Sequence, residues 1–283
     1  MKKIIAILLM LVMLVGCFAS CGGNTAENND ADTNADTNAG KDAGKTAASD
    51  LAYIQNKGKI IIGITDYAPM NYKEEGSNEW TGFDTEFAQK FGEEIGVDVE
   101  FIEIDWDSKQ MELKSKSIDA VWNGMTITDE VKKSMDVSNA YVKNAQVVVM
   151  NKDKVADYTT ADSMKNLKFA AESGSAGEAA IKDAGFENLT VVKTQALALL
   201  EVKSGSADAC VIDITMANAM TGEGTSYADL AKGIELTTEE YGVAFRQGSD
   251  MVATFNNFMT KVYESGWLKT LAEKYELTLA LEG

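Results

Sequence analysis

Ser175-Ala176-Gly177-Glu178 has the spacing of a helix capping box, a hydroxyl followed three residues later by a carboxylate. A helix opened there presents unpaired N–H groups and a partial positive charge, which together make an anion site. Asn123, Gly124 and Thr126 stand where the apolar run after Asp119 ends and a turn begins, the edge at which open parallel sheets take ligands. Asp213 closes the run Ala209-Cys210-Val211-Ile212 in the same way. A carboxylate there can receive a cationic nitrogen through charge-assisted hydrogen bonds, or it can cap a following helix. Asp66 and Tyr67 lie in a turn with Pro69, the single proline, and Trp106 sits between Asp105 and Asp107. These residue types can hold a small polar molecule; they contain no reaction centre.

The chain has no histidine, which removes imidazole as general base, as activator of a nucleophile and as metal ligand. Neither a phosphate-binding glycine loop nor a dinucleotide fingerprint occurs. The adjacent carboxylates Glu74-Glu75, Glu93-Glu94 and Glu239-Glu240 read as solvated surface. No cofactor and no metal is expected. The formal net charge of −18 repels phosphate backbones and anionic headgroups, so no nucleic-acid partner is expected either. Cys210 is the one cysteine beyond the N-terminal region, and no disulfide framework is available.

Lys2 and Lys3 followed by the apolar run Ile4 to Val15 make a secretory signal by charge, length and position, closing at about residue 20. The run is short for a transmembrane helix. Cys17, after Leu14-Val15-Gly16, and Cys21, after Phe18-Ala19-Ser20, each look like a lipobox cysteine, with Cys17 the better fit upstream. A lipid there would hold the protein to the outer face of the membrane. Residues 21–50 are polar and without periodicity, which predicts a disordered tether. Its reach as a flexible coil is roughly 30 Å.

The remaining chain of about 230 residues suits two lobes. Lys59 to Thr65 reads as a strand covered on both faces. Phe83, Phe87, Phe91 and Ile95 recur at intervals of four before Gly96, one face of a helix with its stop. Strands at Val99 to Ile104, Asp119 to Asn123 and Ala145 to Met150 alternate with helices at Gln110 to Ser115 and Asp129 to Met135. The pattern continues with strands at Lys168 to Glu172, near Val191, at Ala209 to Asp213 and at Gly242 to Arg246. Helices are expected from Ala176, over Ala196 to Lys203, over Met251 to Tyr263 and over Trp267 to Tyr275. Such alternation predicts an α/β fold. The phrase K-S-x-S-x-D-A occurs at Lys114 to Ala120 and again at Lys203 to Ala209, a short echo between the two halves.

KIIIGITDYAPMNY, WTGFDTEFAQKFGEEIGVDVEFIEIDW, SIDAVWNGMTITD, SGSAGE and GWLKTLAEKY follow one another in order between Lys59 and Tyr275. Together they resemble bacterial extracellular solute-binding protein family 3, the polar amino-acid-binding subfamily of the type II periplasmic binding proteins, which capture solutes for ABC importers. The resemblance implies two lobes, each a mainly parallel sheet flanked by helices, joined by a two-strand hinge. It places lobe 1 at 51–146 plus 239–283 and lobe 2 at 147–238, with hinge crossings near Lys143 to Val147 and Thr237 to Tyr241. It implies a monomeric, lipid-anchored receptor that captures a small polar solute, an amino acid by family habit, and delivers it to a permease. A sensor module and a cyclohexadienyl-dehydratase-like enzyme are the alternatives.

By the same resemblance Tyr67 and Trp106 sandwich the ligand side chain, with Asp66 beside them. Asn123, Gly124 and Thr126 meet the ligand's ammonium and carboxylate, Ser175, Ala176 and Gly177 form the second-lobe loop, and Asp213 takes the ammonium. Glu172 and Gln195 add side-chain specificity. One departure stands out. The family reads ITxxR where this chain reads Ile127-Thr128-Asp129-Glu130-Val131, so the arginine that grips the α-carboxylate is replaced by Val131. Arg246, the single arginine, matches a strand end outside the pocket. Three repairs are open: a lysine such as Lys132 or Lys143, the helix N-termini at Thr128 and Ser175 acting alone, or a ligand that is no standard α-amino acid. The helix N-termini are the favoured reading.

Overall fold

The structure, a computed structural model, describes residues 49–281. The signal segment, Cys17, Cys21 and all but the end of the expected tether lie outside the described residues. From Ser49 the chain forms α1 (Asp50–Lys57), β1 (Lys59–Ile64), β2 (Tyr72–Lys73), β3 (Trp80–Thr81), α2 (Phe83–Ile95), β4 (Asp98–Glu103), α3 (Lys109–Ser115), β5 (Ala120–Thr126), α4 (Asp129–Ser134), β6 (Asp136–Val137) and β7 (Val142–Asn151). It continues with β8 (Phe169–Glu172), α5 (Ala176–Asp183), β9 (Leu189–Val192), α6 (Gln195–Ser204), β10 (Ala209–Asp213), α7 (Ile214–Met220), β11 (Leu230–Phe245), α8 (Met251–Glu264) and α9 (Trp267–Lys274).

The strands lie in the order β4-β1-β5-β11-β7-β10-β8-β9. β4, β1 and β5 are mutually parallel at one end, and β10, β8 and β9 at the other. Between them β7 and β11 run antiparallel. Their central register pairs Lys143 with Glu240, Asn144 with Glu239, Ala145 with Thr238 and Gln146 with Thr237. The two segments expected to carry the chain between lobes are thus bonded to each other residue by residue.

β11 starts at Leu230, twelve residues before the strand expected from sequence. Its first part alternates half-buried and exposed residues and includes charges, the mark of a strand with one wet face, so it shows no apolar run. Helix α7 is absent from the elements read along the chain: Ile214, Met216, Ala217 and Met220 fall at helical spacing, but seven residues are too few to establish a period. Helix α2 ends as predicted, with Gly96 in the left-handed region at φ 74°.

The repeated heptapeptide is a structural repeat. In each copy the first serine hydroxyl donates to a carbonyl three residues earlier, Ser115 to Glu112 and Ser204 to Glu201. Each pairs with a second serine, Ser117 at 2.9 Å and Ser206 at 3.0 Å. The aspartate then joins the next strand: Asp119 Oδ2 accepts from Ile61 N–H, and Asp208 Oδ2 from Lys168 N–H. The same helix-to-strand corner is built once in each lobe.

Phe83, Phe87 and Phe91 turn their common face onto Trp122, Tyr141, Phe255 and Phe258. Phe87 has ring neighbours on β5, α8 and α9 as well as on its own helix, and replacing it by alanine would cost about 3–5 kcal/mol. Phe169 and Phe186 stack at 4.4 Å at the centre of the second lobe. These cores fix the sheet edges whose strand ends face the cleft.

Candidate functional site

Trp106, Asn123, Gly124, Thr126, Ser175, Ala176 and Asp213 line a cavity of about 410 Å³ between the lobes. The strand ends of β5, β8 and β10 and the starts of α3 and α5 meet there. Asp66, Tyr67 and Gly177 do not line it. Asp66 borders a separate recess with Glu103, Asp105, Lys193 and Thr194.

Tyr67 lies beneath the floor of the cavity. Its hydroxyl meets Thr215 Oγ1 and Tyr241 Oη, both at 2.5 Å, and so joins β1's turn to α7 and β11. Its ring presses on Gly124, where an added Cβ would come within 2.6 Å of the ring and φ is +56°. Gly177 supports the opposite wall: a Cβ there would lie 2.7 Å from Val211 O and 3.0 Å from Gln146 Oε1, so glycine lets α5 approach β10.

Several groups expected to face a ligand are already engaged. Gly124 N–H donates to Asp84 Oδ2 at 2.7 Å, and the Thr126 hydroxyl donates to Glu239 Oε1 at 2.8 Å. Asn123 bonds Thr65 and Asn71. Asp84 is fully buried, and burial pushes its carboxyl up to about 7 against the pull of the Gly124 N–H and the Tyr141 hydroxyl. These contacts make the β5 end a rigid floor.

Ser175 caps α5 as predicted, accepting from Glu178 N–H at 3.1 Å. Glu178 does not complete the box on Ser175. Its carboxylate accepts instead from Gly174 N–H and from Lys182, both at 2.6 Å. The anion site expected at this helix start therefore already faces a carboxylate. Thr128 caps α4 through Val131 N–H at 3.1 Å, and Val131 itself lines the cavity.

Asp213 precedes α7 but makes no cap bond with its side chain. Its carboxylate instead accepts from the amides of Asn144, Gln146 and Gln195, and its own N–H donates to Gln195 Oε1. Asn144 and Gln146 also donate to Glu239. Burial first, and the Glu239 charge second, hold the Asp213 carboxyl well above its ordinary range. An acidic group surrounded by neutral amides and pressed by a second carboxylate is ready for a cation.

Lys109 was missed by sequence reasoning. Neither Lys132 nor Lys143 lines the cavity, whereas Lys109 does. Its Nζ donates to Trp106 O at 3.0 Å and, across the cleft, to Gly174 O at 2.9 Å, and lies 4.8 Å from the Trp106 ring centre. Burial lowers the ammonium to about 8. No spacing signal marks it, because only the chain fold brings residue 109 to residue 174. Arg246 lies at the opposite end of β5, bonded to Asp50, Ile118 O and Asp119, as its strand-end match implied. The cavity carries Asp107, Glu130, Glu172, Glu178, Asp183 and Asp213 against Lys109 and Lys182.

This arrangement can clasp a small cationic or zwitterionic solute between two lobes. Known proteins match it along most of the chain. The arginine-binding extracellular protein ArtP of Bacillus subtilis is 32% identical, over 77% of this chain and 86% of its own. A substrate-binding protein of an ABC uptake transporter from Streptococcus pneumoniae, solved with bound histidine, aligns with a TM-score of 0.73 at 29% identity, over 81% of this chain and 96% of its own. An ancestral amino acid-binding protein described as a precursor of cyclohexadienyl dehydratase aligns with a TM-score of 0.73 at 30% identity, over 80% of this chain and 99% of its own. The model of the bacterial extracellular solute-binding proteins, family 3, matches residues 60–278, and the chain belongs to that family.

Proposed function

We propose that the protein is the capture subunit of an amino-acid ABC importer, held to the membrane by a lipid on Cys17 or Cys21 and working as a monomer. Lobe 1, residues 51–146 plus 239–283, and lobe 2, residues 147–238, close on the solute by bending at the paired segments of β7 and β11. The ligand stabilises the closed state because it touches both lobes. The observation that carries this reading is the inter-lobe cavity with Asp213 buried in its wall, a seat for an α-ammonium group.

Trp106, Asn123, Gly124, Thr126, Ser175 and Ala176 form the remaining walls in this reading, and Asp66, Tyr67 and Gly177 hold those walls in position. Lys109 is the lysine best placed to meet a carboxylate in the absence of the family arginine; it joins the helix starts at Thr128 and Ser175 as a candidate. The likeness to a dehydratase precursor supports an enzymatic alternative, in which the solute would be transformed.

The test is a thermal-shift screen of the unfolded and refolded protein against the common amino acids, followed by recovery of the bound ligand. A ligand at a hundred times its dissociation constant raises stability by about 2.7 kcal/mol. Stabilisation with the ligand recovered unchanged supports the receptor. Conversion of a cyclic amino-acid precursor would favour the enzyme.

A further inference from the structure

Glu172 ends β8 and lines the cleft, yet its Oε1 is buried without a hydrogen-bond partner among the described residues. The residue is 3% exposed. An ionised carboxylate is costly to bury in that condition. The groups facing it are Asp213 from the end of β10, Lys109 from the start of α3 and the Thr65 hydroxyl after β1. Lys109 leaves it unsatisfied, because its Nζ is directed to two carbonyl oxygens and a ring. The cleft thus offers two inward carboxyl groups, Asp213 supported by three amides and Glu172 without such support.

We propose that Glu172 determines what the cleft accepts: its carboxylate receives the second cationic nitrogen of a ligand that carries two, while ligands with one are penalised. The inference rests on the solute-binding reading above and names the class of solute. With the α-ammonium at Asp213, the second nitrogen is an amine or guanidine on the ligand's far end.

The penalty has a physical origin. With the lobes as they stand and no cation in the cleft, burial pushes the Glu172 carboxyl up to about 8 from its ordinary 4.5, with the Asp213 charge adding to desolvation. Closure then takes up a proton. A group that binds its proton more tightly in the closed complex favours closing at low pH, so affinity for a singly cationic ligand falls as pH rises, by about tenfold per unit between roughly pH 5 and 8. A second cation keeps the carboxylate ionised on closure, and that dependence disappears.

The experiment is calorimetric titration of the purified, refolded protein and of E172Q at about pH 5.5 and 7.5 with arginine, ornithine, glutamine and 1,5-diaminopentane. The expected result is that arginine or ornithine binds at least tenfold more tightly than glutamine at the higher pH, with the advantage narrowing at the lower. In E172Q the ratio shrinks at least tenfold and the glutamine profile flattens. Binding of the diamine as well would extend the class to amines without a carboxylate; its exclusion would restrict the class to basic amino acids, and both results support the proposal. Glutamine binding as tightly as arginine at pH 7.5, or a ratio unchanged in E172Q, overturns it and leaves the receptor reading standing. Failure of all four ligands with folded protein overturns the amino-acid reading itself. The two-pH comparison on the unmodified protein decides the matter even if the variant does not fold.

Discussion

Replacing Asp213 by asparagine should weaken ligand binding while strengthening the empty protein. The carboxyl group is fully buried, accepts from Asn144, Gln146 and Gln195, and is raised above its ordinary range by burial and by the Glu239 charge. Its amide partners are neutral, so a bound ammonium would be its charge-compensating neighbour. Hydrogen bonds to charged groups contribute about 1.5–3 kcal/mol, and truncating one member of a buried charged pair costs about 2–5 kcal/mol. A loss of about 3 kcal/mol is therefore expected, roughly a hundredfold in dissociation constant. In the ligand-free protein the same change removes one of two neighbouring carboxyls, the other being Glu239. The native state holds the Asp213 proton more tightly than the unfolded chain does. Stability of the empty protein therefore falls as pH rises from the ordinary carboxylate range to about 7, and D213N removes the fall. Calorimetric titration gives the first quantity, and melting curves at several pH values give the second. An affinity loss below tenfold, or a D213N protein that melts lower at neutral pH, would refute the reasoning.

Arg246→Met removes a guanidinium bonded to Asp50, Asp119 and Ile118 O, so the fold should lose about 3–5 kcal/mol. Ligand affinity should change by less than twofold, because the ion pair lies at the far end of β5; paired melting and titration check both. Gly124→Ala would drive a Cβ into the Tyr67 ring at a positive φ. A loss of about 2–4 kcal/mol in chemical denaturation is expected, with weaker ligand binding as the Tyr67 to Thr215 link breaks. Lys109→Met removes the bond to Gly174 O across the cleft and should lower affinity by about tenfold. Because burial lowers the Lys109 ammonium to about 8, the closed protein should gain stability as pH rises from there toward 10.5, and this gain should vanish in K109M.

The order of elements could be read from the chain because it depends on local signals. The four-residue recurrence from Phe83 to Ile95, the β-branched run at Lys59 to Ile64 and the glycine stop at Gly96 each act within one element. Residues at strand ends were legible for the same reason: in an α/β sheet the strand's C-terminal end is where a ligand can be reached, so Asn123, Thr126 and Asp213 could be named. The first half of β11 and the whole of α7 were not, since a strand with one wet face and a seven-residue helix carry little periodic signal.

Sequence by itself determined the family, the alternation of elements, the repeated helix-to-strand corner and the presence of Val131 where the resemblance implies an arginine. Tertiary structure alone decided which side chains share the cleft. Lys109 reaches Gly174 and Tyr67 reaches Thr215 only because two hinge strands bring lobes distant in sequence face to face, and Glu172 meets Asp213 because β8 pairs with β10. The physical reason is range. Helix and strand propensities act over a few residues, whereas the charge balance of a cavity depends on burial, and burial exists only once the whole chain has closed around it.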